Sequence, residues 1–274
     1  MPMKLEELSR LLREADPAAV LVPRPVLERL IQNVSGEPWL LWRVPHRHCY
    51  LVDRYTLFTQ VEQDELYLPP DHLLPEQVLL LEWPTTEQLN APREEVLGRY
   101  WRLLFHICMH RELAERIPPG DFRRIHERVD QLGLAIFEEA KNVLDQDGML
   151  AASADDREVY IEFVATYWEL RFFSANLVPV YFPSLPEPET IEPLLGEDIH
   201  PSELFERTRL GGIANVVPKT DDQSDESHDY FYRLQRSALR ASQQGDTVAA
   251  AILFTRAARV APTSLTEPAL DAAR

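Results

Sequence analysis

Two long stretches of this chain are apolar on almost every side, and that feature restricts the fold most. Within 92–117, Val96, Leu97, Tyr100, Trp101, Leu103, Leu104, Ile107 and Cys108 cover one broad face of a helix, while Phe105, Met109 and Leu113 cover much of the opposite one. Within 155–178, Tyr160, Ile161, Phe163, Val164, Tyr167, Trp168, Leu170 and Phe172 do the same. A helix with no wet face has to lie inside a core, wrapped by other elements. Each keeps one narrow polar stripe: Arg99, Arg102, His106 and His110 on the first, Glu158, Glu162 and Glu169 on the second. Buried polar groups are strongly unfavourable unless partnered. The basic stripe and the acidic stripe are therefore expected to face each other.

The rest of the chain predicts a mainly α protein. Residues 3–15 and 24–34 have the spacing of short amphipathic helices, separated by "ADPAAVLVPRP". A further long helix is expected over 120–146, between "PPG" and "DQDG", and a short one around 200–209. The segment from about 38 to 70 lacks helical periodicity, is interrupted by proline and is rich in aromatic and β-branched residues. It predicts a small irregular or β segment inside the helical domain. "LLPEQVLLLEWP" is a short buried element of either type. A helical N-terminal domain over 1–210 is followed by an acidic, polar linker over 211–228 and by a last region, 229–274.

Composition excludes several functions. Only nine glycines are present, and neither G-x-x-x-x-G-K nor G-x-G-x-x-G occurs, so a glycine-rich phosphate loop is not expected. A formal net charge of −17 repels phosphate backbones and anionic lipid surfaces, so neither nucleic acid nor membrane is the expected partner. No apolar run approaches the roughly 20 residues that span a bilayer. The first residues, "MPMKLEELSRLL", form an amphipathic acidic pattern and not a signal peptide. Cys49 and Cys108 are too few for a disulfide framework and read as buried free thiols. These features together predict a cytoplasmic protein.

His106 and His110 are the residues most suggestive of chemistry. Four residues apart on a helix, they share one face and can share an ion. Ile107 stands where a zinc-protease signature has glutamate. Two outcomes fit. In one, Arg99 and Arg102 pair with the glutamates and the histidines hydrogen-bond inside the core. In the other, His106 and His110 bind zinc together with Glu162 or Glu169, leaving a position for water. That geometry would suit a metal-dependent, peptidase-like hydrolase, whose general base would come from elsewhere, Glu158 or Glu139. "HRHC" offers His46, His48 and Cys49 as a weaker ligand group, and His126 reads as a core histidine. No G-x-S-x-G is present.

The end of the chain resembles a tetratricopeptide repeat. In 231–262, Ala238 matches the small residue of the first helix and Gly245-Asp246 the turn. Ala250, Phe254 and Ala257 match the packing positions of the second helix, and Pro262 closes the unit. Ala272 lies 34 residues beyond Ala238, as a second unit requires. Ala241 and Leu234 depart from the usual residues. The resemblance covers this region alone. It implies a helical hairpin that binds another protein or peptide, and a truncated array that belongs to a longer repeat protein, since such units stack to bury a core.

Overall fold

A computed structural model describes residues 3–35, 48–66, 68, 72–151, 153–213, 231, 234–235, 238–239, 241–242, 245 and 247–260. It is mainly α-helical with one small mixed sheet, as the sequence predicts. The chain forms two compact units. No helix among the described residues is long and apolar enough to cross a membrane.

The first unit comprises Met1–Phe172 and Leu185–Ala214. Its sheet has strands β1 (Ala19–Val22), β2 (Cys49–Asp53) and β3 (Gln77–Glu82), in the order β1-β3-β2. β3 runs parallel to β1 and antiparallel to β2, with Val20 opposite Leu80 and Cys49 opposite Leu81. As the central strand it is buried on both faces, which is why "QVLLLE" carries no alternation. Val20, Val22, Val52, Val78 and Leu80 share one core with α2 (Arg24–Ser35) and α3 (Arg54–Gln60), which follow α1 (Leu5–Ala15). β1 lies inside the interhelical "ADPAAVLVPRP", where the sequence marks only a break. The 38–70 segment supplies β2, but α3 follows it directly, with Asp53 accepting a hydrogen bond from the Thr56 backbone N–H at 2.8 Å.

A short helix, α4 (Thr86–Asn90), leads into the first all-round apolar helix, α5 (Arg93–Arg116). α5 packs on β2 and β3, and the Tyr100 hydroxyl donates to the Glu82 carbonyl at 2.7 Å. The helix expected over 120–146 is in fact two, α6 (Phe122–Leu132) and α7 (Leu134–Gln146). Gly133 separates them at φ +89°, a backbone conformation that ends a right-handed helix and that L side chains rarely adopt. The second apolar helix, α8 (Asp156–Phe173), stops short of the expected 178. Every residue from Val159 to Trp168 along it is buried. Beyond α8 comes α9 (Val178–Tyr181), then α10 (Pro188–Leu195) and α11 (Pro201–Arg207). Phe205 from α11 stacks on Phe172 with ring centroids 4.4 Å apart and meets Trp101 of α5 at the same distance.

The second unit comprises Phe173–Ser184 and Asn215–Arg274. Phe173–Ser184, which the sequence reading placed in the N-terminal domain, thus clusters with the C-terminal residues. There the Arg256 guanidinium lies over the Tyr181 ring, 6.0 Å from its centroid. The described residues between 231 and 242 are helical, Gly245 turns the chain at φ +81°, and a helix runs over Thr247–Val260. Most of the linker expected over 211–228, and Pro262 and Ala272, lie outside the described residues.

Candidate functional site

The polar stripes of α5 and α8 meet. Arg102, His106 and His110 follow one another at four-residue steps on α5, while Glu162 and Glu169 stand two turns apart on α8. The pairing runs in opposite directions along the two helices. Arg102 Nε donates to Glu169 Oε1 at 2.5 Å. His106 Nδ1 lies 2.6 Å from Glu169 Oε2, and its Nε2 lies 3.7 Å from Glu162 Oε1. His110 Nε2 lies 3.0 Å from Glu162 Oε2 and 3.0 Å from His106 Nε2. Thr166, one helical turn beyond Glu162, donates its hydroxyl to Glu162 Oε1 at 3.1 Å.

The site is internal. Glu162 is 1% exposed and His106 6%, and His110 is half-buried. Burial alone would raise the Glu169 pKa, but the Arg102 charge and then His106 outweigh it and bring the carboxyl down to about 2. Burial likewise opposes a charged His106, yet its contact with Glu169, reinforced by Glu162, leaves its pKa raised. Cys49, on β2, is fully buried near this charge. Burial first, then Glu169 and Glu162, pushes its thiol well above the ordinary range.

One nitrogen of each histidine and one oxygen of Glu162 lie within 4.8 Å of one another. A tetrahedral ion held by bonds of about 2.0–2.2 Å places its ligands about 3.3 Å apart. His110 Nε2 lies 3.0 Å from His106 Nε2 and 3.0 Å from Glu162 Oε2, close to that value, while the 3.7 Å from His106 Nε2 is to the other oxygen of the carboxylate, Oε1. The cluster can therefore accept either a shared proton or a small divalent cation.

Other sequence candidates fall elsewhere. Glu158 is exposed at the start of α8, where its carboxylate accepts from the Asp155 backbone N–H at 3.1 Å while Asp155 accepts from the Glu158 N–H at 2.8 Å. It caps the helix and takes no part in the cluster. Glu139 is half-buried on α7, outside the three-ligand group. Arg99 is exposed at the end of its stripe. His48 Nδ1 lies 2.5 Å from Glu82 Oε2, and His46 lies outside the described residues. His126 is not a core residue: it is exposed and donates from Nδ1 to its own helix at the Phe122 carbonyl, 2.8 Å away. α6 instead buries Ile125, Arg128 and Leu132. Thr166 is not among the sequence candidates, although its place one turn from Glu162 is a signal for it.

In the second unit, Leu234, Ala238, Ala250, Leu253 and Ala257 are buried. Val248 is 69% exposed and Ile252 44%, one turn apart on the far side of the same helix. Phe254, at a packing position in the repeat resemblance, is exposed.

Comparison with protein-family models, with curated proteins and with solved structures finds no match for this chain.

Proposed function

We propose that this chain is a protein-interaction protein, in which a helical N-terminal module accompanies a binding hairpin of the tetratricopeptide kind. The observation that carries the reading is the division of the C-terminal hairpin into two faces. Small residues, Ala238, Ala250 and Ala257, are buried, while Val248 and Ile252 stand in water. Isolated exposed apolar residues are ordinary, but a pair one turn apart, backed by a small-residue seam, offers an apolar strip to a peptide or helix. The test compares proteins cross-linked to the wild-type chain with those cross-linked to a Val248→Ser/Ile252→Ser variant of equal thermal stability. Loss of a specific partner in the variant supports the reading. An identical set of captured proteins counts against it.

A second reading, a metal-dependent hydrolase of the peptidase kind, draws support from the convergence of His106, His110 and Glu162. Three protein ligands leave a fourth position for a nucleophilic water. Glu158 is committed to capping and Glu169 is engaged by Arg102, so neither is poised as the base. The measurement is turnover of a casein substrate with added zinc, in wild type and in His106→Gln. Turnover that needs both zinc and His106 supports hydrolysis; zinc-independent or absent turnover removes it.

A further inference from the structure

We infer that His106, His110 and Glu162 bind a resident divalent cation of the zinc class, and that the ion clamps α5 to α8. The inference is independent of the hairpin reading. It shares residues with the hydrolase reading but fails separately, since an ion can be bound without any turnover.

His106 stands between two carboxylates of α8, those of Glu169 and Glu162. Its Nδ1 lies 2.6 Å from Glu169 Oε2, which leaves the other ring nitrogen, Nε2, to face an ion. Nε2 lies 3.0 Å from His110 Nε2 and 3.7 Å from Glu162 Oε1. Two imidazole nitrogens and a carboxylate oxygen thus converge on one buried point. A divalent cation placed there would take one ligand atom from each of the three residues.

The surroundings match those that hold metal ligands in place. A ligating histidine characteristically gives its second ring N–H to a carboxylate, which is itself anchored. Here Glu169 Oε2 lies 2.6 Å from His106 Nδ1, and Arg102 anchors Glu169 at 2.5 Å. The ligating carboxylate is oriented as well, by the Thr166 hydroxyl at 3.1 Å. Each ligand set has a helical origin: His106 and His110 from successive turns of α5, Glu162 from the facing turn of α8. Binding therefore cross-links two central helices.

Charge and donor type select the ion. Glu169 and Arg102 neutralise each other, so the metal meets a single ligand charge from Glu162. Two imidazoles with one carboxylate suit zinc, and also cobalt, nickel and copper, better than magnesium or calcium, which prefer oxygen. Glu169 acts as a positioning residue, because it reaches the ion only through His106.

The test uses the full chain, stripped with a chelator and then given zinc or cobalt alone. One zinc per chain, a melting temperature that rises with zinc concentration, and the visible absorption of four-coordinate cobalt are expected. His110→Gln, a half-buried position, should abolish all three while remaining folded by circular dichroism. Glu169→Gln should weaken zinc binding by about 10–100-fold without removing it. A folded wild-type chain that takes up no stoichiometric zinc and whose melting ignores it would overturn the proposal. So would unchanged zinc binding by both His106→Gln and His110→Gln. Should His110→Gln fail to fold, the graded loss in Glu169→Gln, read as affinity, still decides the matter.

Discussion

Arg128 grips Asp198 with both arms of its guanidinium, Nε on Oδ2 at 2.7 Å and Nη2 on Oδ1 at 2.9 Å, where Asp198 is 0% exposed. The same carboxylate also accepts from Arg124 Nη2 at 2.7 Å and from the Tyr160 hydroxyl at 2.7 Å. One residue between α10 and α11 therefore ties together α6 and α8. Replacing Asp198 by Ala leaves two guanidinium groups and a hydroxyl without their acceptor. The expected loss is about 3–5 kcal/mol of unfolding free energy, measured by urea denaturation. A loss below about 1 kcal/mol would mean that water takes over these bonds freely.

The same carboxylate predicts acid sensitivity. Burial tends to raise the Asp198 pKa, but hydrogen bonds from Arg128, Tyr160 and Arg124 outweigh it, so the folded value lies below the ordinary 3.8. A depressed carboxyl contributes stability that is complete above its unfolded pKa and disappears as pH falls through the folded one. Melting temperature should thus fall more steeply below about pH 4 in wild type than in Asp198→Asn. Parallel curves would contradict this.

Gly133 should resist substitution for conformational reasons alone. A Cβ added there meets nothing within 4 Å, yet φ is +89°. Gly133→Ala should therefore destabilise the first unit by about 1–3 kcal/mol, the range for strained backbone. An unchanged denaturation midpoint would show that α6 and α7 can join differently without loss.

Both cysteines should be chemically silent in the folded chain. Burial raises the Cys49 and Cys108 thiols, and nearby carboxylates, Glu169 and Asp16 among them, raise them further. Ellman's reagent should find neither thiol at mildly alkaline pH and both after denaturation. Rapid reaction of one thiol in native buffer would place it nearer to solvent than the fold allows.

The buried face of the hairpin should be intolerant of size. Ala238 and Ala257 are both almost wholly buried. Ala257→Leu should cost about 1–3 kcal/mol by overpacking. Calorimetry of the full chain checks this, the expected change being confined to the transition of the second unit. A neutral result would indicate a loosely packed seam.

The central helices were legible in the sequence, because helical periodicity is local and because α5 and α8 have so few polar positions. Those positions had to find one another, and Arg102, His106, His110, Glu162 and Glu169 do. The three-stranded sheet was only partly legible. β1 lies in a four-residue stretch too short for a pattern to show, and its parallel partner β3 is some sixty residues away. The break at Gly133 was hidden because one glycine inside a long apolar pattern is compatible with a continuous helix, and only the path of the chain reveals its positive φ.

What the sequence by itself determined is which residues must be buried and which polar groups would need partners there. What tertiary structure decided is which partner each received. Glu158 and Glu162 sit one turn apart on one helix, yet the first caps α8 in solvent and the second meets two histidines in the core. Asp198 looks like any surface acid in the sequence, yet it joins groups brought in by separate helices. The reason is physical. Periodicity fixes the face of a helix on which a residue lies, but the register between helices depends on packing along the whole interface. A shift of one turn would exchange Glu162 for Thr166 opposite the histidines and remove the site.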